Sequence, residues 1–79
     1  MKIVIEGLAA SITADDIRRD YGTFAPILRV DVIKDEPHAI AIVEMDMTRA
    51  EANFLAARIC AQVHLDKRLR AWVPLWNNC

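Results

Sequence analysis

His38-Ala39-Ile40-Ala41-Ile42-Val43-Glu44-Met45 alternates without a break, and its reading decides the fold. A strand places successive side chains on opposite faces, so Ala39, Ala41, Val43 and Met45 share one face and His38, Ile40, Ile42 and Glu44 the other. A one-residue slip would exchange the two faces, and the charges choose between the registers. His38 and Glu44 mark the second set as the face open to water or to a partner. Immediately upstream, Lys34-Asp35-Glu36-Pro37 reads as a turn. Before it, Leu28 to Ile33 alternates with Val30 and Val32 on one side and Arg29, Asp31 and Ile33 on the other.

Downstream, Thr48 and Glu51 stand at capping-box spacing, which predicts a helix start. Ala52, Leu55, Ala56, Ile59 and Val63 form its core stripe. On the opposite side of the same helix lie Ala50, Phe54, Ala57 and Ala61, with Arg49, Asn53, Arg58 and Gln62 between. After a loop through Asp66-Lys67, Leu69 to Val73 alternates as a last strand, with Arg70 and Trp72 outward, and Pro74 ends it. Towards the N-terminus, Lys2-Ile3-Val4-Ile5-Glu6 is a strand stopped by Gly7, with Ile3 and Ile5 inward and Lys2, Val4 and Glu6 outward. Thr13 is the expected N-cap of a first helix whose Asp15 and Asp16 suit its dipole. Ile12 and Ile17 form a hydrophobic staple, Ile17, Tyr21 and Phe24 recur at helical spacing, and Gly22 closes the helix.

The order is β-α-β-β-α-β, which predicts an α+β ferredoxin-like sandwich: a four-stranded antiparallel sheet with two helices on one face, as a single domain over residues 1–79. Apolar residues at 54% and charged residues at 27% fit one globular core. Ten Lys and Arg against eleven Asp and Glu give a net charge of -1, so no global positive field draws in phosphates. No apolar run approaches membrane-spanning length, and two cysteines do not make a disulfide scaffold; the expectation is a cytoplasmic protein that contacts no membrane.

These strands and their order resemble the RNA recognition motif, over nearly the whole chain. His38 to Met45 is similar to that family's longer signature, basic-Gly-aromatic-small-aromatic-Val-x-aromatic, with Ala41 and Val43-Glu44 in place. Ile3-Val4-Ile5-Glu6-Gly7-Leu8 is similar to the shorter one, and Asp16 to Ala25 to the first helix and its Phe-Gly exit, with Ala25 replacing Gly. The resemblance implies single-stranded RNA on the open sheet face, where the family stacks bases on three aromatic rings. Here those positions are Val4, Ile40 and Ile42, and the basic position is His38. Lys2, Arg29, Arg70 and Trp72 complete the candidate RNA surface. Trp72 can instead simply cover the apolar sheet, and Trp76 can fold over it.

The second candidate function is protein interaction or homodimerisation, through the apolar sheet face or through Ala50, Phe54, Ala57 and Ala61. Cys60 and His64 stand at i,i+4 without a third metal ligand in range, and Cys60 reads as a packed thiol. No phosphate loop, nucleophile elbow or catalytic His-acid pair occurs, so no enzyme activity and no cofactor are expected.

Overall fold

The computed structural model describes residues 1–64 and 67–74. The elements are β1 (Lys2–Ala9), α1 (Ala14–Tyr21), β2 (Ile27–Asp35), β3 (His38–Met45), α2 (Arg49–Cys60), β4 (Val63–His64), β5 (Lys67–Arg68) and β6 (Arg70–Trp72). Four of them form an antiparallel sheet in the order β2-β3-β1-β6, and β4 and β5 form a separate small hairpin. The predicted α+β sandwich is the observed one.

The alternation in β3 translates directly into burial. Ala39, Ala41, Val43 and Met45 are buried and the four residues between them are partly exposed. Register pairs Ile3 with Val43 and Ile5 with Ala41, so the two central strands present one continuous apolar surface. Ile17 and Tyr21 of α1, with Ala52, Leu55, Ala56 and Ile59 of α2, close over it. Each fully buried Ile or Leu side chain contributes about 1.5–3 kcal/mol, against about 1 kcal/mol for a typical hydrogen bond. The side of the sheet that meets the helices is therefore fixed by packing.

Both helix starts carry the predicted threonine N-cap, and the one at Thr13, read from the sequence only as an N-cap, is a full capping box. The Thr13 hydroxyl accepts from the Asp16 N–H (3.2 Å) and the Asp16 carboxylate from the Thr13 N–H (3.1 Å). Thr48 and Glu51 repeat the exchange at 3.2 and 2.9 Å. In each case the backbone N–H of the threonine is the first cause that lowers the carboxyl pKa, followed by its hydroxyl.

Several boundaries differ from the sequence reading. Gly7 does not stop β1. It forms a bulge with φ +95°, the register shifts between Glu6 and Leu8, and the strand continues to Ala9. The extra residue returns Leu8 to the core side, where strict alternation would place it outward. A second register shift, between Ile27 and Arg29, leaves Leu28 exposed. Phe24 follows the end of α1 and is exposed, so it does not continue the Ile17–Tyr21 stripe. Val63 is not part of the α2 stripe: the helix ends at Cys60 and Val63 lies exposed in β4. Lys67, read as loop, is in β5, and the last strand is shorter than Leu69 to Val73, although Leu69 is buried and Ala71 and Val73 pack against the core.

Cys60 has a defined structural task. The Ala71 N–H donates to its Sγ (3.2 Å), and its thiol donates to the Ala71 carbonyl oxygen (3.3 Å). Ala71 lies in β6, the last strand of the sheet order, and its N–H and C=O would otherwise form part of an open sheet edge. The thiol occupies that edge and ties the end of α2 to it.

Two predictions follow from these local features. Gly7→Ala meets no nearer atom than 3.7 Å, so its cost is backbone strain at positive φ, about 1–2 kcal/mol. Thermal unfolding should read this as a fall of about 4–8 °C per kcal/mol. The second concerns acid. Because the folded-state pKa of Glu51 is depressed, its stabilisation is complete above the unfolded-state value and is lost as pH falls through the folded-state one. Urea unfolding of wild type and Glu51→Gln should show a constant stability gap above about pH 5 that closes at lower pH.

Candidate nucleic-acid interface

The register of the four strands sets the open face out as a grid. Arg29, Glu44 and Lys2 lie side by side across β2, β3 and β1. The next row is Asp31, Ile42, Val4 and Trp72, and the one after it Ile33, Ile40, Glu6 and Arg70. All eight residues of the candidate RNA surface therefore share one face: Lys2, Val4, Arg29, His38, Ile40, Ile42, Arg70 and Trp72. The polarity read from the charges is the observed polarity.

Exposure within the grid is uneven. Val4 is only 7% exposed, because it sits on a central strand with Ile42 on one side and Trp72 on the other. Ile40 and Ile42 are partly exposed, and Trp72 is 40% exposed. The ring of Trp72 thus does both things that the sequence left open. It shields Val4, and it still presents area to solvent. Trp76, the other candidate cover, lies outside the described residues, as does Cys79.

The charges of the face are interleaved rather than clustered. Arg70 contacts the Glu6 carboxylate at 3.1 Å, and Arg29 contacts Asp31 at 3.0 Å. Each pair is solvent-exposed and worth at most about 1 kcal/mol to stability. For a phosphate ligand the pairs matter more, because Arg29 and Arg70 each already hold an anion. Sequence reasoning placed these six charges on one face but missed their pairing, which depends on cross-strand register. Arg70 also lies over the Trp72 ring, 5.9 Å from its centroid.

At one end of the face, the β1 bulge, the β2–β3 turn and β5–β6 enclose a groove of about 360 Å³. Its polar lining mixes Glu6, Asp35 and Glu36 with His38, Arg68 and Arg70. A smaller recess of about 190 Å³ at the other end is lined by Lys2, Arg29, Asp31, Ile42 and Glu44. Among the described residues, no group of His, Cys, Asp and Glu could hold a metal ion, and no helix is long and apolar enough to cross a membrane.

Solved structures share this architecture. The N-terminal three RNA-binding domains of the yeast splicing factor Prp24 superpose with a TM-score of 0.79 over 92% of this chain, at 15% identity. The fold is that of an RNA recognition motif. The chain spans 32% of that Prp24 fragment. The solution structure of the N-terminal RNA-binding domain of a hypothetical protein matches over 98% of this chain and 81% of its own, with a TM-score of 0.74 and 16% identity. No protein-family model and no curated protein matches the chain.

Burial on the nominally open face gives a direct test. Val4→Asp would place a carboxylate between Ile42 and Trp72 and should cost about 3 kcal/mol or more in urea unfolding. Ile33→Asp, on the same face but on an exposed stretch of edge strand β2, should cost about 1 kcal/mol or less.

Proposed function

We propose that this chain is a non-enzymatic module of the RNA-recognition-motif type that binds single-stranded RNA weakly on the open sheet face, with Trp72 as its one stacking platform. The observation that carries this reading is the Trp72 ring, 40% exposed on that face with the Arg70 guanidinium against it. An aromatic plane beside a cation is the pairing that holds a base and its phosphate. The likeness to structures described as RNA-binding domains supports an RNA ligand.

The strength of binding follows from what occupies the other positions. Val4, Ile40 and Ile42 offer apolar contact but no π-face, and each base–aromatic stack forgone removes about 1–3 kcal/mol. Arg29 and Arg70 must exchange Asp31 and Glu6 for phosphates before they contribute. One stack and two or three phosphate contacts correspond to a dissociation constant of about 0.1–1 mM and a shallow salt slope of about -1 to -2.

Tryptophan fluorescence during titration with a short single-stranded oligonucleotide tests this, at low and moderate salt. The expected result is a saturable change that is lost in Trp72→Ala, a control that separates Trp72 from Trp76. Glu6→Gln, which removes the carboxylate competing for Arg70, should tighten binding about 2–5-fold. No change at millimolar RNA, or a change that persists in Trp72→Ala, would remove the sheet face from consideration.

A further inference from the structure

The surface of α2 turned away from the core carries a second, differently built site. Ala50, Phe54, Ala57 and Ala61 are all exposed there, Phe54 at 61%. Phe24, after α1, is exposed beside it at 45%. The Arg58 guanidinium lies near both rings, 5.4 Å from the Phe24 centroid and 5.8 Å from that of Phe54. A groove of about 310 Å³ opens next to this stack, lined by Phe24, Met47, Ala50, Glu51, Phe54 and Leu55.

Beside the groove the carboxylate is engaged and the guanidinium is not. Glu51, the one carboxylate of α2, already accepts the Thr48 N–H at the N-cap. Arg58 has no ion-pair partner among the described residues. Cation–π attraction to two rings holds the guanidinium near both without taking up its five N–H donors. A planar guanidinium with open donors can bind a carboxylate bidentately. A second copy of the chain is a poor complement. A two-fold contact through this face sets α2 against itself, and α2 bears Arg49 and Arg58 against the single, already engaged Glu51.

We propose that the Phe24–Arg58–Phe54 stack and the adjoining groove dock an acidic peptide segment of a partner protein. One apolar side chain of the partner fills the groove, and a neighbouring carboxylate pairs with the edge of Arg58. The site lies on the outer side of α2, whereas the proposed RNA surface is the sheet face away from the helices, so the two can be occupied at once.

The test is amide NMR of the isotope-labelled chain titrated with a short capped peptide alternating Asp or Glu with Leu and Trp. A second peptide, in which every Asp and Glu is replaced by Asn or Gln, is the neutral control. The acidic peptide should shift the amides of Phe24, Met47, Ala50, Phe54 and Arg58, with an affinity in the range of hundreds of micromolar. The neutral peptide, and the variant Arg58→Met, which keeps an apolar stem under the rings, should each weaken binding at least about fivefold. An otherwise unchanged amide spectrum of Arg58→Met shows that the fold is intact. Equal binding of the two peptides, shifts confined to the sheet face, or no shifts at millimolar peptide would overturn the proposal. So would concentration-dependent sedimentation abolished by Phe54→Asp, which would give the face to a second copy.

Discussion

The pairing of β1 with β3, Ile3 on Val43 and Ile5 on Ala41, is the constraint from which the other features of the molecule derive. Once those four side chains are committed to the helices, the period of two leaves Val4, Ile40 and Ile42 with no core to enter. Small residues at Ala39 and Ala41, both fully buried, let the helices approach the sheet closely. The same commitment makes the Gly7 bulge necessary: with Gly7 in regular alternation, Leu8 would face outward and the core would lose a buried leucine.

The face left over is chemically unlike the nucleic-acid surface its fold suggests. A phosphate-binding sheet gains from cations that are free and from rings that are flat. This one has cations matched by carboxylates in the neighbouring positions and β-branched side chains where rings would stand. Trp72 is the exception, and its place explains why. On β6 it is the neighbour of Val4, so its ring shields a central apolar position as well as facing solvent. Selection for stability alone would keep an aromatic residue there, and stacking on a base requires nothing further of it. The structural use of Trp72 and its proposed ligand-binding use coincide on one side chain.

Most of the architecture was legible in the sequence because it is carried by period and by caps. Alternation in His38 to Met45 and threonine with an acid three residues on, at Thr13 and Thr48, are local signals with local physical causes. The features that escaped are those in which one local rule yields to tertiary demand. Gly7 reads as a terminator, but its positive φ serves a bulge inside a strand. Val63 continues the i,i+4 spacing of the α2 stripe, but the helix has already ended at Cys60, where the thiol meets the backbone of β6. Phe24 keeps helical spacing past Gly22 yet lies beyond the helix. Of the candidate sites, the sharing of a face was readable from alternation. The partnership of Glu6 with Arg70 and the approach of Arg58 to Phe24 were not, because each joins residues from elements far apart in the chain.

The two exposed surfaces differ in how their arginines are held, and that difference bears on what each can recruit. Arg70 is paired with a carboxylate, so any anionic ligand must displace Glu6, and the net gain is an exchange of one ion pair for another. Arg58 lies near two rings, which attract the guanidinium without satisfying its donors, so a ligand carboxylate adds an interaction without removing one. On a chain with a net charge of -1, long-range attraction adds little for either ligand. Local geometry then carries both proposals: a ligand carboxylate at Arg58 displaces no partner, whereas a phosphate at Arg70 must displace Glu6.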